Sequence, residues 1–376
     1  MQSNKLIRET IKFGYKLFVK PILFKFDPEE IHNRFLMIGN FLGKTKFGQN
    51  FTASCFNYEN KILEQTINGL KFSNPVGLAA GFDKNALLTE IASSIGFGFI
   101  EIGSITGRPC SGNPKPRLWR FKKSKALAVY YGLANEGAAN VAKRLTKKIS
   151  ILLGANIAKT NDHLTDDPEA AIIDYLQAFK EVKDLANYIT INISCPNTSG
   201  GQPFTDPLLL ERLLSAIGKE NHGVPLFIKM SPDLTDNQLD NLLAVISRHR
   251  ITGLICSNLT HEKDYIKKDE QQIPTKGGVS GKAVEKVAND LLRSVYKKTN
   301  NKYILIGCGG IFSARDAYEK IKSGASLVQL ITGMIFEGPQ LIGEINSGLV
   351  KLLKQDGYKN ISEAIGADIE KLEAEK

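Results

Sequence analysis

From residue 75 onward the chain alternates short apolar runs with longer segments of mixed polarity. The runs are "PVGLAA" (75–80), "FGFIEIG" (97–103), "ILLGANI" (151–157), "YITINIS" (188–194), "PLFIKM" (225–230), "GLICS" (253–257), "YILIG" (303–307) and "LVQLI" (327–331). Each is continuous rather than alternating, the pattern of parallel strands covered on both faces. The segments between them carry helix starts. Asp167-Pro168 and Asp206-Pro207 set a capping carboxylate before a proline, and Thr235 with Gln238 and Ser313 with Asp316 have capping-box spacing. Strand–helix alternation of this length predicts an α/β protein, a (β/α)8 TIM barrel. An open doubly wound sheet shows the same alternation, since closure is not written in the pattern.

The first residues follow a different rule. In "NKLIRETIKFGYKLFVKPILFKFDPEE", a helical wheel puts Lys5, Arg8, Lys12 and Lys16 on one side and Ile7, Ile11 and Phe18 on another. Pro21 ends or kinks this segment. A second helix starts at "DPEEIHNRF", with Asp27 as cap and Pro28 at the first helical position. A basic amphipathic helix fits an anionic membrane surface. A helical hairpin packed on the main domain, its lysines in water, has the same pattern.

Composition narrows the chemistry. The 376 residues are 42% hydrophobic and 23% charged, as in an ordinary globular protein. The net charge of +10 points to an anionic partner, although no nucleic-acid-binding motif accompanies it. Five scattered cysteines without a Cys-x-x-Cys pair predict neither a disulfide framework nor a zinc site. No run approaches the roughly 18 apolar residues of a membrane-spanning helix, and the first residues lack the apolar core of a signal peptide.

A barrel gathers its functional residues where strands end. Gly81, Asp83 and Lys84 follow the first run; Ser104 and Thr106 follow the second; the third holds Asn156 near its end and is followed by Lys159. The fourth run leads to Asn192, Cys195 and Asn197, the fifth ends at Lys229, and the sixth at Ser257-Asn258. The last two run into "GCGG" and "TGM", where bare backbone N–H groups before helix starts suit a phosphate. Amide side chains both donate and accept, which suits a planar ring of carbonyls and N–H groups. A lysine at the polar edge of a flavin stabilises the charge gained on reduction. Phosphate, amides and lysines together suggest FMN and a flat polar substrate. A phosphosugar barrel with a Schiff base at Lys84 or Lys229 is the competing chemistry.

The motifs "NPVGLAAGFDKN", "GFGFIEIGSIT", "NPKPRLWRF", "NISCPNT", "VPLFIKMSPDLT", "GGVSGKAV", "IGCGGI" and "SLVQLITGMIFEGP" resemble those of the dihydroorotate dehydrogenases, in order and across nearly the whole chain. "KPILFKFDPEEIHNRF" and "DGYKNISEAIGAD" resemble the membrane-associated, quinone-dependent class 2 branch. The resemblance implies FMN in a barrel over residues 46–360, a membrane and quinone-access region over 1–45, and a tail over 361–376. It implies oxidation of dihydroorotate to orotate in pyrimidine biosynthesis, by a peripheral protein on the cytoplasmic side of the cell inner membrane. FMN would meet Ala79, Ala80, Gly81, Ser104, Asn156, Asn192, Lys229, Ser257, Gly281, Gly310, Ile331 and Thr332. Lys84 would take the substrate carboxylate, and Asn192, Asn197 and Asn258 its ring. His32 and Arg120 fall on the quinone passage, and Cys195 at the catalytic base.

The chain departs from the family pattern in four places. Class 2 members ordinarily carry serine as the base, and cysteine is the class 1 choice; a thiol of ordinary pKa, about 8.5, ionises readily. In "AVYYGLAN" a ring-binding amide becomes Val129, and in "SNLT" a hydroxyl becomes Leu259. Tyr130 and Thr260 are the candidates to compensate. The passage tyrosine becomes Ile331. A flavin oxidoreductase of the same family acting on another cyclic amide or unsaturated carbonyl compound is therefore an alternative, and a barrel without turnover on a membrane surface is another. Two polar loops, 195–206 and 261–278, are candidate lids.

Overall fold

The computed structural model describes residues 2–145, 149–270 and 272–374, so the last two residues of the expected tail and one residue of the 261–278 loop lie outside the description. All eight apolar runs are strands: β1 (Val76–Leu78), β2 (Phe99–Ile105), β3 (Leu152–Ile157), β4 (Tyr188–Asn192), β5 (Leu226–Met230), β6 (Gly253–Cys256), β7 (Ile304–Cys308) and β8 (Leu327–Leu330). They pair in parallel and in chain order, and β8 pairs back onto β1, so the sheet closes. That settles closure in favour of the (β/α)8 barrel.

The barrel is filled unevenly. At its lower end Phe99, Tyr188, Phe227, Ile255, Ile306 and Leu327 pack together with Phe72, which reaches in from the hairpin Gln65–Ile67/Leu70–Phe72. Large side chains there exclude water and leave the opposite end for polar groups. Helices cover the outside, capped as expected: Asp167 accepts from the Ala170 amide at 2.9 Å, and Thr235 and Gln238 form a complete capping box. Across the mouth lies a three-stranded antiparallel sheet (Leu118–Phe121, Ala126–Val129, Gly278–Gly281) that the apolar pattern did not show. The residues expected to be a tail are packed in place, with Ile361, Ala364 and Ile369 in the main core.

The N-terminal arm comprises α1 (Gln2–Gly14), a π-helical turn (Tyr15–Val19) that takes the chain into Pro21, then α2 (Pro28–Gly43) and α3 (Lys46–Phe56). The helical region thus runs on to Phe56. Its polarity is the reverse of the expected one. Lys12 pairs with Glu344 at 2.8 Å, Lys16 with Glu337, and Lys20 donates to the Phe336 carbonyl at 3.1 Å. Arg8 is buried, donating to the Asn57 carbonyl over the Tyr58 ring. Arg8, Lys12, Lys16 and Lys20 therefore face the barrel, and Leu6, Phe13, Leu17, Phe18 and Ile22 face outward, joined by Phe35, Met37, Ile38 and Phe41 of α2.

Candidate active site

The floor of the mouth is an interlocked set of side chains at strand ends. Glu101, buried on β2, accepts from Asn156 Nδ2 at 2.8 Å, Gln329 Nε2 at 3.0 Å, and the Tyr188 and Thr190 hydroxyls at 3.1 Å each. Asn156 is thereby oriented to accept from the Ser104 hydroxyl. Ser104 Oγ accepts from Asn192 Nδ2 at 2.9 Å, and Asn192 Oδ1 accepts from Asn258 Nδ2 at 3.1 Å. Amides selected for a ring are thus fixed by one another before any ligand arrives. Asn156 does not line the cavity; it stands one step behind Ser104 and aims it.

Above this floor opens a cavity of about 270 Å³. Its walls carry Ala79, Ala80 and Gly81 after β1, Ser104 of β2, Asn192 of β4, Lys229 of β5 and Ser257 after β6. Gly281, Gly310, Ile331 and Thr332 line the side under β7 and β8, and Lys84, Cys195, Asn197 and Asn258 ring the opposite rim. Gly281 and Gly310 have φ of +101° and +81°, and a Cβ on either would run into neighbouring backbone or side chain, so these turns require glycine. The residues fit a planar, anionic cofactor on two observations. Lys229, 4% exposed, lines the same space. Asn197 Oδ1 is buried in the wall with no hydrogen-bond partner among the described residues, an acceptor left for a ligand N–H.

The rim groups are electrostatically tuned. Burial pushes the Lys84 ammonium down to about 8, and Asp83 beside it gives its carboxylate to the Leu87 and Leu88 amides at 2.9 and 2.7 Å. Burial pushes the Cys195 thiol up to about 11, against the pull of the Asn197 backbone amide, Lys159 and Lys229. The ready ionisation expected from an ordinary thiol is therefore not what the fold provides, because desolvation penalises the thiolate. Lys159 Nζ donates to the Ser199 carbonyl at 2.7 Å and so holds the Cys195 loop down.

His32 and Arg120 line the same cavity. His32 Nε2 lies 2.8 Å from the Phe82 carbonyl and Nδ1 lies 3.3 Å from Tyr131 Oη. Burial holds this histidine near 3, so the ring is neutral. Arg120 donates to the Leu23 and Phe26 carbonyls and sits 4.5 Å over the Phe24 ring.

Neither candidate for compensation faces the ligand. The Thr260 hydroxyl donates to Asp233, and Tyr130 has Lys276 over its ring, away from the cavity wall. Tyr131 lines the wall instead, and Glu29 joins it through Arg117, whose Nε and Nη2 reach the carboxylate at 3.0 and 2.7 Å. Both were missed in the sequence, where their only signal was an aromatic beside the substrate-loop glycine and an acid in the first turn of α2. The 261–278 loop buries Ile266 against Phe121 and Val279 of the antiparallel sheet.

A family model for dihydroorotate dehydrogenase matches residues 62–353. The chain belongs to that family. It is 40% identical to the dihydroorotate dehydrogenase (quinone) of Christiangramia forsetii, over 90% of this chain and 99% of the relative. It is 37% identical to the protein of the same name from Nostoc sp., over 94% and 98%. Among solved structures, DHODH from Eimeria tenella in complex with ferulenol superposes with a TM-score of 0.81 at 30% identity, covering 91% of this chain and 96% of that one.

Proposed function

We propose that this family member oxidises dihydroorotate to orotate with FMN as its cofactor and passes the electrons to a membrane quinone. The observation that carries the reading is a single cavity lined by Lys84, Cys195 and Asn197 together with His32, Arg120 and apolar residues of the arm. Bound FMN supplies hydride acceptance from C6 of the substrate and electron delivery to quinone. The chain's residues do the rest. Lys84 pairs with the substrate carboxylate, Asn197 Oδ1 accepts a ring N–H, and the Asn192–Asn258 pair sets the plane of the ring. Cys195 Sγ takes the C5 proton, with Lys159 and Lys229 offsetting part of the cost of its ionisation.

The arm seats the protein peripherally on the cytoplasmic face of the cell inner membrane. No helix among the described residues is long and apolar enough to cross a membrane. The outward apolar face supports contact with lipid, and exposed Lys25, Lys44 and Lys46 beside Phe26, Phe41 and Phe47 supply attraction to an anionic surface.

Anaerobic mixing with dihydroorotate tests the reading. Flavin absorbance bleaches, and added quinone restores it. A second reading has its own observation: Val129 and Leu259 line the rim with apolar side chains, and Asn197 Nδ2 is occupied by the Val129 carbonyl at 2.8 Å. A yellow protein that dihydroorotate never bleaches would overturn the first reading and make the rim at Val129 and Leu259 the place to look for a different substrate.

A further inference from the structure

Lys84 is a half-buried cation whose carboxylate neighbours are both engaged elsewhere. Glu29 is held by Arg117 and Lys115, and Asp83 by two backbone amides. What the ammonium faces is the ring of Tyr131, 3.9 Å from its centroid, while the Arg117 guanidinium lies 5.3 Å from the same centroid. Two cations thus share one π-face system, an attraction that strengthens away from water.

The hydroxyl of the same tyrosine points the other way. The Phe82 carbonyl can only accept, so His32 Nε2 carries the proton, and in a neutral imidazole Nδ1 is then the acceptor. Tyr131 Oη therefore donates to His32 Nδ1, at 3.3 Å. His32 and Glu29 both sit on α2, which walls the passage with Pro28, Ile31 and Phe35.

We propose that Tyr131 is a positioning residue that couples occupancy of the substrate site to the affinity of the quinone passage. This rests on the functional reading above. A carboxylate arriving at Lys84 offers a full negative charge, which outcompetes the ring quadrupole for the ammonium. As Lys84 leaves the ring, Arg117 becomes its sole cation, the ring resettles, and the hydrogen bond to His32 resettles with it. The change reaches α2 through His32 and through the Arg117–Glu29 pair. By linkage, a ligand in the passage alters substrate affinity by the same factor.

The test uses the oxidised full-length holoenzyme in detergent, where orotate and decylubiquinone bind without reacting. Calorimetric titration of decylubiquinone is run with and without saturating orotate. In the native protein the two dissociation constants differ at least about fivefold, within the usual range of coupling. Tyr131→Phe keeps the ring over Lys84 and removes the donor. It retains orotate affinity while the coupling falls below about twofold. His32→Leu loses the coupling equally, and the double variant loses no more. Flavin content and melting temperature equal to the native protein show that both variants fold. Coupling that persists in Tyr131→Phe, or none in a native protein that binds orotate, overturns the inference. A native protein that binds no orotate overturns the functional reading itself, and this inference with it.

Discussion

The barrel mouth and the N-terminal arm use charge in opposite ways. In the mouth, apolar strand interiors carry polar ends inward, and charged groups such as Lys84 and Lys229 are kept without full carboxylate partners, ready for a ligand. On the arm Lys12 and Lys16 are satisfied by Glu344 and Glu337, and the apolar side is left outward, with Phe13 63% and Phe41 72% exposed. The difference teaches that an unsatisfied charge marks where a ligand belongs, whereas a satisfied one marks a joint. In the arm it is the unsatisfied apolar surface that calls for a partner.

The largest break in this comparison comes from the base. Cys195→Ala slows anaerobic flavin reduction by about 10²–10⁴-fold while flavin content stays native, because the cofactor floor does not depend on the thiol. In the native protein the same rate climbs about tenfold per pH unit until the thiol ionises near 11, and a rate that is flat between pH 7 and 9 excludes Cys195 as base. Next is Lys84. Its protonated form is present below about 8 and lost as pH rises through that value, so the KM for dihydroorotate is level at lower pH and grows about tenfold per unit above it. Lys84→Met raises KM roughly ten- to a hundredfold at pH 7, the worth of a charge-assisted bond, and removes that pH dependence.

The arm gives the smaller effects. Leu17→Asp withdraws an outward apolar side chain from lipid, about 1.5–3 kcal/mol, and lowers vesicle binding about tenfold or more. Vesicle binding of the native protein that vanishes at high salt would instead assign the attachment to lysines. Smallest is Glu337→Gln, which leaves half-buried Lys16 and exposed Lys125 without their shared carboxylate. It costs about 1 kcal/mol and appears as faster amide exchange in Gln2–Gly14 with the barrel unchanged.

The eight strands were legible because a strand buried on both faces must be apolar throughout, and their ends named Ser104, Asn192, Cys195, Asn197, Lys229, Ser257 and Asn258 of the cavity. The antiparallel sheet was not, since "ALAV" and "GVSG" are short, small and without alternation. The arm's two faces were legible, but a wheel does not say which one meets the protein; the partner of Lys12 lies 332 positions along the chain. Asn156 was named for its place at a strand end, yet its role depends on Glu101, which looks from sequence like an oddity inside an apolar run. The thiol's position near 11 comes from burial that no local pattern records.

Glu101 has one more consequence. Its four donors come from three other strands, so it knots staves that are not all neighbours in the ring. The aim of Asn156, Ser104 and Asn192 is then inherited from barrel closure rather than set by their own loops. In a combinatorial library the two layers should behave as separate alphabets. Letters at Val129 and Leu259 can be exchanged one at a time, each re-drawing the outline of the accepted ring. A changed letter at Glu101 misspells three others at once.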